Sequence, residues 1–298
     1  MMEKKHKSGF VNIVGNPNVG KSTLMNSLVG ERISSITSKA QTTRHRIMGI
    51  VNTEDMQIVY SDTPGVLVPN YKLQESMLNF SQSALLDADI LLYVTDVVEA
   101  PAKNQSFLDK VDRETVPVLV VINKIDLLKE QSDLEKLVEE WKQLLPNAEI
   151  IPVSAQYKFN LDYLLKRIQE LLPPSPPFFE KDALTDKPAR FFVTEIIREK
   201  ILQTYDKEIP YACEVAVEQF QEEENRIHIM AVIYVERDSQ KGIVIGKGGS
   251  ALKKVGTLAR KDIEVFFDKK VFLELYVKVE KDWRSRENKL KGFGYIPE

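Results

Sequence analysis

Cysteine is almost absent: Cys213 is the single one in 298 residues, which excludes an intramolecular disulfide and argues for a reducing compartment. A strand core is its expected place. Long apolar runs are missing too. No stretch approaches the ~20 residues that a membrane-spanning helix requires, and the charged start MMEKKHKSG is not followed by the apolar region of a secretory signal. The expectation is a soluble, cytoplasmic chain. Nor is there a large excess of one charge. A formal net charge of −3 excludes a general polycation, so any nucleic-acid affinity has to come from a local patch. With no internal repeat and no long low-complexity tract, 43% hydrophobic and 29% charged residues give the balance of a globular protein, most simply of two domains.

Across residues 8–172 short apolar strands alternate with amphipathic helices, the pattern of an α/β unit whose mostly parallel sheet is covered on both faces. Candidate strands lie at 10–14, 46–52, 56–61, 90–96, 118–123 and 149–153. Residues 173–188 form a linker opened by Pro173-Pro174-Ser175-Pro176-Pro177, which cannot continue a helix and favours an extended path. Beyond it the pattern changes to a smaller α+β unit at 189–280. It has a helix at 189–202, alternating strands at 212–219 and 226–236, a glycine cluster, a helix and a last strand at 271–279. Residues 281–298 form a basic tail with Lys281, Arg284, Arg286 and Lys289, read as a solvated helix face.

Gly15-Asn16-Pro17-Asn18-Val19-Gly20-Lys21-Ser22 fits G-x-x-x-x-G-K-[ST] between the first strand and a helix at 22–29, where Thr23 follows. Glycines at 15 and 20 let main-chain N–H groups converge on phosphate oxygens. The helix start adds positive field, Lys21 reaches the β- and γ-phosphates, and Ser22 can ligate Mg²⁺. Asp62-Thr63-Pro64-Gly65 follows the strand MQIVYS. Its carboxylate can hold Mg²⁺, and the Gly65 N–H can approach a γ-phosphate because no side chain obstructs it. Asn123-Lys124-Ile125-Asp126 follows VLVVI. The Asp126 carboxylate suits the N1–H and exocyclic amine of guanine, donors that adenine lacks, while Asn123 braces the loop and Lys124 lies along the base. Ser154-Ala155 follows the last strand of the unit and offers the Ala155 N–H to guanine O6. Ligands of open α/β sheets bind beyond the carboxyl ends of the strands, so all four motifs can share one site for GTP or GDP.

In this order the motifs resemble the translation-factor-related GTPases. The GxPNxGKS loop and Gln41-Thr42-Thr43-Arg44-His45-Arg46 are similar to the Era and MnmE branch of that class. The resemblance implies Thr43 as the Mg²⁺ ligand of the triphosphate state, with Thr42 open as a candidate, and K⁺ beside the phosphates at Asn18. It also implies catalysis through Lys21, Thr43 and Gly65. Val66 stands where Ras-like proteins carry a water-orienting glutamine, so slow intrinsic hydrolysis is expected. His45 is a weaker candidate base on a switch segment.

Gly246-Lys247-Gly248-Gly249 is a GXXG loop ahead of a helix-like ALKKVGTLARKDIEVFF. Absent side chains allow close phosphate approach, and Lys247, Lys253, Lys254 and Arg260 give local positive charge. Its setting resembles a type II KH domain. The two halves together resemble the Era family of ribosome-assembly GTPases over nearly the full chain. That resemblance implies binding of 16S ribosomal RNA near its 3′ end rather than DNA, and a role in maturation of the small ribosomal subunit. It further implies peripheral association with the inner face of the cell membrane; a monomer is the expected state. The rival expectation is a regulatory GTPase acting on a protein or membrane partner, with the C-terminal domain as a docking module.

Overall fold

A computed structural model describes residues 6–101 and 103–296. The first five residues of the charged start, Ala102 and the last two residues of the tail lie outside the described residues. The chain divides into two compact units. The first comprises residues up to Ser34, Thr43–Pro69 and Met77–Asp186, and the second Ser35–Thr42, Asn70–Ser76 and Lys187 onward.

The first unit runs β1 (Lys7–Gly15), α1 (Lys21–Val29), β2 (Ile47–Asn52), β3 (Met56–Asp62), α2 (Lys72–Leu86), whose first turns belong to the second unit, and β4 (Ile90–Asp96). It continues with α3 (Gln105–Val111), β5 (Val118–Asn123), α4 (Gln131–Leu144), β6 (Glu149–Pro152) and α5 (Leu161–Leu171). The described strands form one sheet of order β2-β3-β1-β4-β5-β6, parallel except for β2, which pairs antiparallel with β3. Strand β4 is buried at every position, as a strand covered on both faces must be. Behind it Tyr93 meets the fully buried Trp141 of α4 at 5.5 Å between ring centroids. Strands β1, β3 and β5 end at Gly15, Asp62 and Asn123, so the sheet delivers three of the motifs to one edge.

The proline segment is held closely to this unit. Ser8 N–H donates to Pro173 O and Ser175 N–H to His6 O. Gln57 Oε1 accepts the N–H groups of Phe178 and Phe179, and Ile50 N–H donates to Leu184 O at 2.8 Å. The segment therefore covers the outer edge of β2, which would otherwise present unpaired N–H and C=O groups.

The second unit contains α6 (Ala189–Thr204), α7 (Ile209–Ala212), β7 (Glu214–Glu222), β8 (Arg226–Val235), α8 (Asp238–Ile245), α9 (Ser250–Phe267), β9 (Lys270–Val279) and α10 (Glu287–Gly292). Strand β8 is central, antiparallel to β7 and parallel to β9. Ile197 and Ile201 of α6 and Val255, Ala259 and Ile263 of α9 pack with Ile227, Ile229, Ala231 and Ile233 of β8. Apart from the single-turn α7 and the terminal α10, the order α-β-β-α-α-β is that of a type II KH domain. Helix α8 is absent from the sequence expectation because Ile243-Val244-Ile245 is β-branched; in the structure Val244 anchors the helix in the core. Cys213 is fully buried beside β7.

Residues 35–42 are tied to α6 within this unit. Arg198, with no exposed surface, donates to Gln41 O at 3.1 Å and to Thr42 O and is paired with Glu195, while Lys39 Nζ meets Asp206 at 2.8 Å. The basic tail is not simply solvated. Trp283, Leu290 and Tyr295 are buried, Trp283 Nε1 donates to Ala212 O, and Arg284, Arg286 and Lys289 pair with Glu236 and Glu280. No described helix is long and apolar enough to cross a membrane.

Candidate functional site

The phosphate loop is shaped by positions that only glycine fills. Gly15 has φ +144° and a Cβ there would overlap the Val94 carbonyl oxygen; Gly20 has φ +96° and a Cβ there would strike the Asn123 side chain. Lys21 is 6% exposed, and its ammonium donates to Gly15 O at 3.0 Å and Asn16 O at 2.8 Å. An ammonium has three N–H donors, so one is left for an incoming anion. Burial lowers the Lys21 pKa to about 8 against the opposing attraction of Asp62 and Glu99. A buried cation in that state gains most from a phosphate.

Three hydroxyl and carboxylate groups from separate elements converge beside it. Ser22 Oγ, at the start of α1, donates to Asp62 Oδ2 at 2.7 Å and lies 3.0 Å from Thr43 Oγ1. Thr43 Oγ1 reaches the same Asp62 oxygen at 3.2 Å. Thr42 points elsewhere, bonding Thr37 Oγ1 and Lys39 O. The other oxygen, Asp62 Oδ1, is buried with no hydrogen-bond partner among the described residues, and burial raises the carboxyl pKa despite Lys21, Ser22, Ser34 and Thr43. An all-oxygen set with an unpartnered carboxylate oxygen fits a hard divalent cation such as Mg²⁺. Thr63 Oγ1 anchors the strand end by donating to Ile13 O at 2.8 Å. Pro64 O accepts Ser81 Oγ–H, and Gly65 sits so close to the loop that a Cβ would come 2.6 Å from Pro17 Cα.

The base-side motif is laced to the same loop. Asn123 Nδ2 donates to Val19 O at 2.9 Å, and its Oδ1 accepts the Ala155 N–H at 3.0 Å. That N–H therefore meets guanine O6 only by sharing its hydrogen, a constraint invisible in the Ser-Ala pair. Lys124, at φ +60°, donates to Asn18 O at 2.6 Å and to Asp96 Oδ2 at 2.5 Å. Ser154 Oγ donates to one oxygen of the exposed Asp126 at 2.5 Å, which orients that carboxylate. Asp96, Glu99 and Asn104 also join this region and are missed by the sequence reading. The position of Asp96 at the end of β4 was a usable signal for the first of them.

In the second unit Gly246, Gly248 and Gly249 have φ of +73°, +59° and +79° between α8 and α9. A Cβ on Gly248 or Gly249 would meet nothing within 4 Å, so the loop face is open. Beside it a groove of about 350 Å³ has Leu252, Leu273 and Leu275 as apolar lining and Lys253 and Arg260 as cations. Lys247 and Lys254 are exposed outside that lining. Such a groove can seat stacked bases while the loop N–H groups and lysines meet phosphates.

Comparison with known proteins agrees with both halves. Residues 10–124 match the family described as 50S ribosome-binding GTPase, and residues 208–284 match the KH domain. An Era solved in complex with MgGDPNP and nucleotides 1506–1542 of 16S ribosomal RNA is 38% identical, with a TM-score of 0.93 over 98% of this chain and 99% of that one. A tyrosine-to-alanine variant of Aquifex aeolicus Era bound to GDP·AlF₄⁻ is also 38% identical, with a TM-score of 0.93 over 97% of this chain and 99% of that one. The chain belongs to the Era family: it is a GTPase that carries a KH domain.

Proposed function

We propose that the chain is a GTP-operated RNA-binding switch that binds 16S ribosomal RNA near its 3′ end and acts in maturation of the small ribosomal subunit. One observation carries the reading: a buried oxygen cluster around Asp62 and a cation-lined groove beside the GXXG loop occur in a single chain. Support for the RNA comes from the 38%-identical Era crystallised with that rRNA segment.

In this reading Ser22, Thr43 and Asp62 hold Mg²⁺, and residues 15–23 with Thr63 and Pro64 form the phosphate cradle. Mg²⁺ held there would supply positive charge to the phosphate oxygens. Lys21 adds its ammonium, and Gly65 directs its N–H to the terminal phosphate. Water forms the new bond to the γ-phosphorus as the bridging bond breaks with its electrons on GDP, and the water proton ends on the phosphate product. Asp126 selects guanine, Lys124 and Asn123 frame the base, and Ser154 and Ala155 close that side. Val66 offers no group to orient water, which gives slow turnover, roughly 10⁻⁴ to 10⁻² s⁻¹. Asn18 is assigned to K⁺ beside the phosphates, and equal turnover in Na⁺ and K⁺ buffers would remove that assignment.

Gly246, Lys247, Gly248, Gly249, Lys253 and Lys254 grip the RNA backbone. Thr43 directly follows the segment that Arg198 holds, so the chain itself can carry a change at the terminal phosphate to the RNA-binding half. Crosslinking the GTP-bound protein to cellular RNA and sequencing the fragments tests the function. Enrichment of the 3′ end of 16S ribosomal RNA is expected; fragments spread without enrichment would refute it.

A further inference from the structure

The segment after Asp62 is held against the phosphate loop at Val66. The Val66 side chain is 6% exposed and packs in the core with Val14, Phe107 and Ile122. Its main chain faces the loop instead. The Val66 N–H donates to Gly15 O at 3.1 Å, and Val66 O accepts from Asn104 Nδ2 at 3.4 Å. The same Asn104 nitrogen donates to Asn16 Oδ1.

Asn16 is fixed in its turn. Its Nδ2 donates to Glu99 Oε2 at 2.9 Å, and its carbonyl takes the Lys21 ammonium. Glu99 also accepts from Thr95 Oγ1 at 3.1 Å, and its own N–H is bound by Asp96 Oδ1 at 3.0 Å. Burial raises the Glu99 pKa. Asn104 itself stands at the N-cap of α3, where asparagine ordinarily turns back to bond the helix's own N–H groups, yet it makes no such bond. Its side chain is committed to the bridge.

We propose that Asn104 is a positioning residue for GTP hydrolysis: by joining Asn16 to Val66 it clamps the Gly65 segment onto the phosphate loop, with Glu99 as the anchor behind Asn16. Two hydrogens on one planar amide nitrogen serve two acceptors in a narrow range of rotamers, so the bridge sets the spacing between loop and segment. A shift of about 1 Å in such a group is enough to cost a large factor in rate. The inference rests on the assignment of Gly65 as donor to the terminal phosphate.

The test compares Asn104→Ala, Asn104→Asp and Gly65→Ala in the full chain. Asn104→Ala should lower single-turnover GTP hydrolysis roughly tenfold or more while leaving GDP affinity within twofold, because GDP does not extend to Gly65. Aspartate caps helices as well as asparagine but carries no donor and places charge against Asn16 Oδ1. A capping role therefore predicts recovery in Asn104→Asp, whereas the clamp predicts the same loss as alanine. Independently of activity, hydrogen exchange at the Val66 amide of the nucleotide-free protein should quicken in both variants, with α3 still protected in Asn104→Asp. Hydrolysis within twofold of the parent in both Asn104 variants, or recovery in Asn104→Asp, overturns the clamp. If Gly65→Ala is impaired while the Asn104 variants are normal, only the clamp falls; if Gly65→Ala hydrolyses normally, the Gly65 assignment falls and takes the clamp with it.

Discussion

The nucleotide site and the proposed RNA site differ in how closely the fold surrounds their glycines. The nucleotide site is buried and crowded with charge: Lys21 and Asp62 are nearly or wholly inaccessible, and its glycines are required because backbone or side chains of neighbouring strands occupy the space of a Cβ. In the GXXG loop Gly246 is crowded by Ala251, but Gly248 and Gly249 are open and there only the sign of φ favours glycine. A buried site enforces one ligand geometry at the expense of stability, whereas an open one tolerates change and binds through proximity and charge.

The largest expected effect comes from adding a methyl group to the crowded loop. Gly15→Ala should abolish nucleotide binding and lower stability by more than ~2 kcal/mol, since a Cβ cannot share space with the Val94 carbonyl. Gly248→Ala should lower stability by only about 1 kcal/mol, the cost of a left-handed φ without a clash. Equal losses in parallel denaturation curves would break the contrast.

Next in size is base selection. Asp126→Ala should weaken GDP binding by about 1–3 kcal/mol and erase the preference over ADP, measured by competition.

The burial of Lys21 gives a pH signature. Its folded pKa of about 8 lies below the ordinary 10.5. The unfolded chain thus holds more protons between those values, and stability of the nucleotide-free protein rises with pH across that window. The shift corresponds to about 3 kcal/mol of destabilisation below it. Lys21→Met should therefore show a flatter stability profile between pH 8 and 10 without nucleotide, and should bind no GTP. A slope between pH 8 and 10 that stays the same in the variant would contradict the shift assigned to the buried ammonium.

The smallest effect belongs to the open site. If Lys247, Lys253 and Lys254 each neutralise one phosphate, the slope of log affinity for single-stranded RNA against log salt is about −2, and each lysine removed makes it shallower by about 0.7. A slope unchanged after all three are replaced would exclude these lysines from the contact.

Legibility in the sequence followed contiguity. The phosphate loop, DTPG and NKID are short runs whose function depends on neighbours, and the sheet brings them to one edge as the strand endings imply. The bridge of Asn16, Glu99 and Asn104 was not legible because Glu99 and Asn104 lie 83 and 88 residues from Asn16 and each alone is an ordinary polar residue. Thr42 and Thr43 could not be separated by pattern; side-chain direction sends one to Lys39 O and the other to Asp62. The tail read as solvated because its charges are frequent, yet Trp283, Leu290 and Tyr295 at wide spacing bury it.

The most direct test of this division of labour is a pair of calorimetric titrations on the parent and on Lys247→Asp with Gly248→Asp, one with MgGDPNP and one with RNA matching the 3′ end of 16S ribosomal RNA. The account predicts an unchanged GDPNP affinity and no detectable RNA binding in the variant. RNA bound with parental affinity would contradict it.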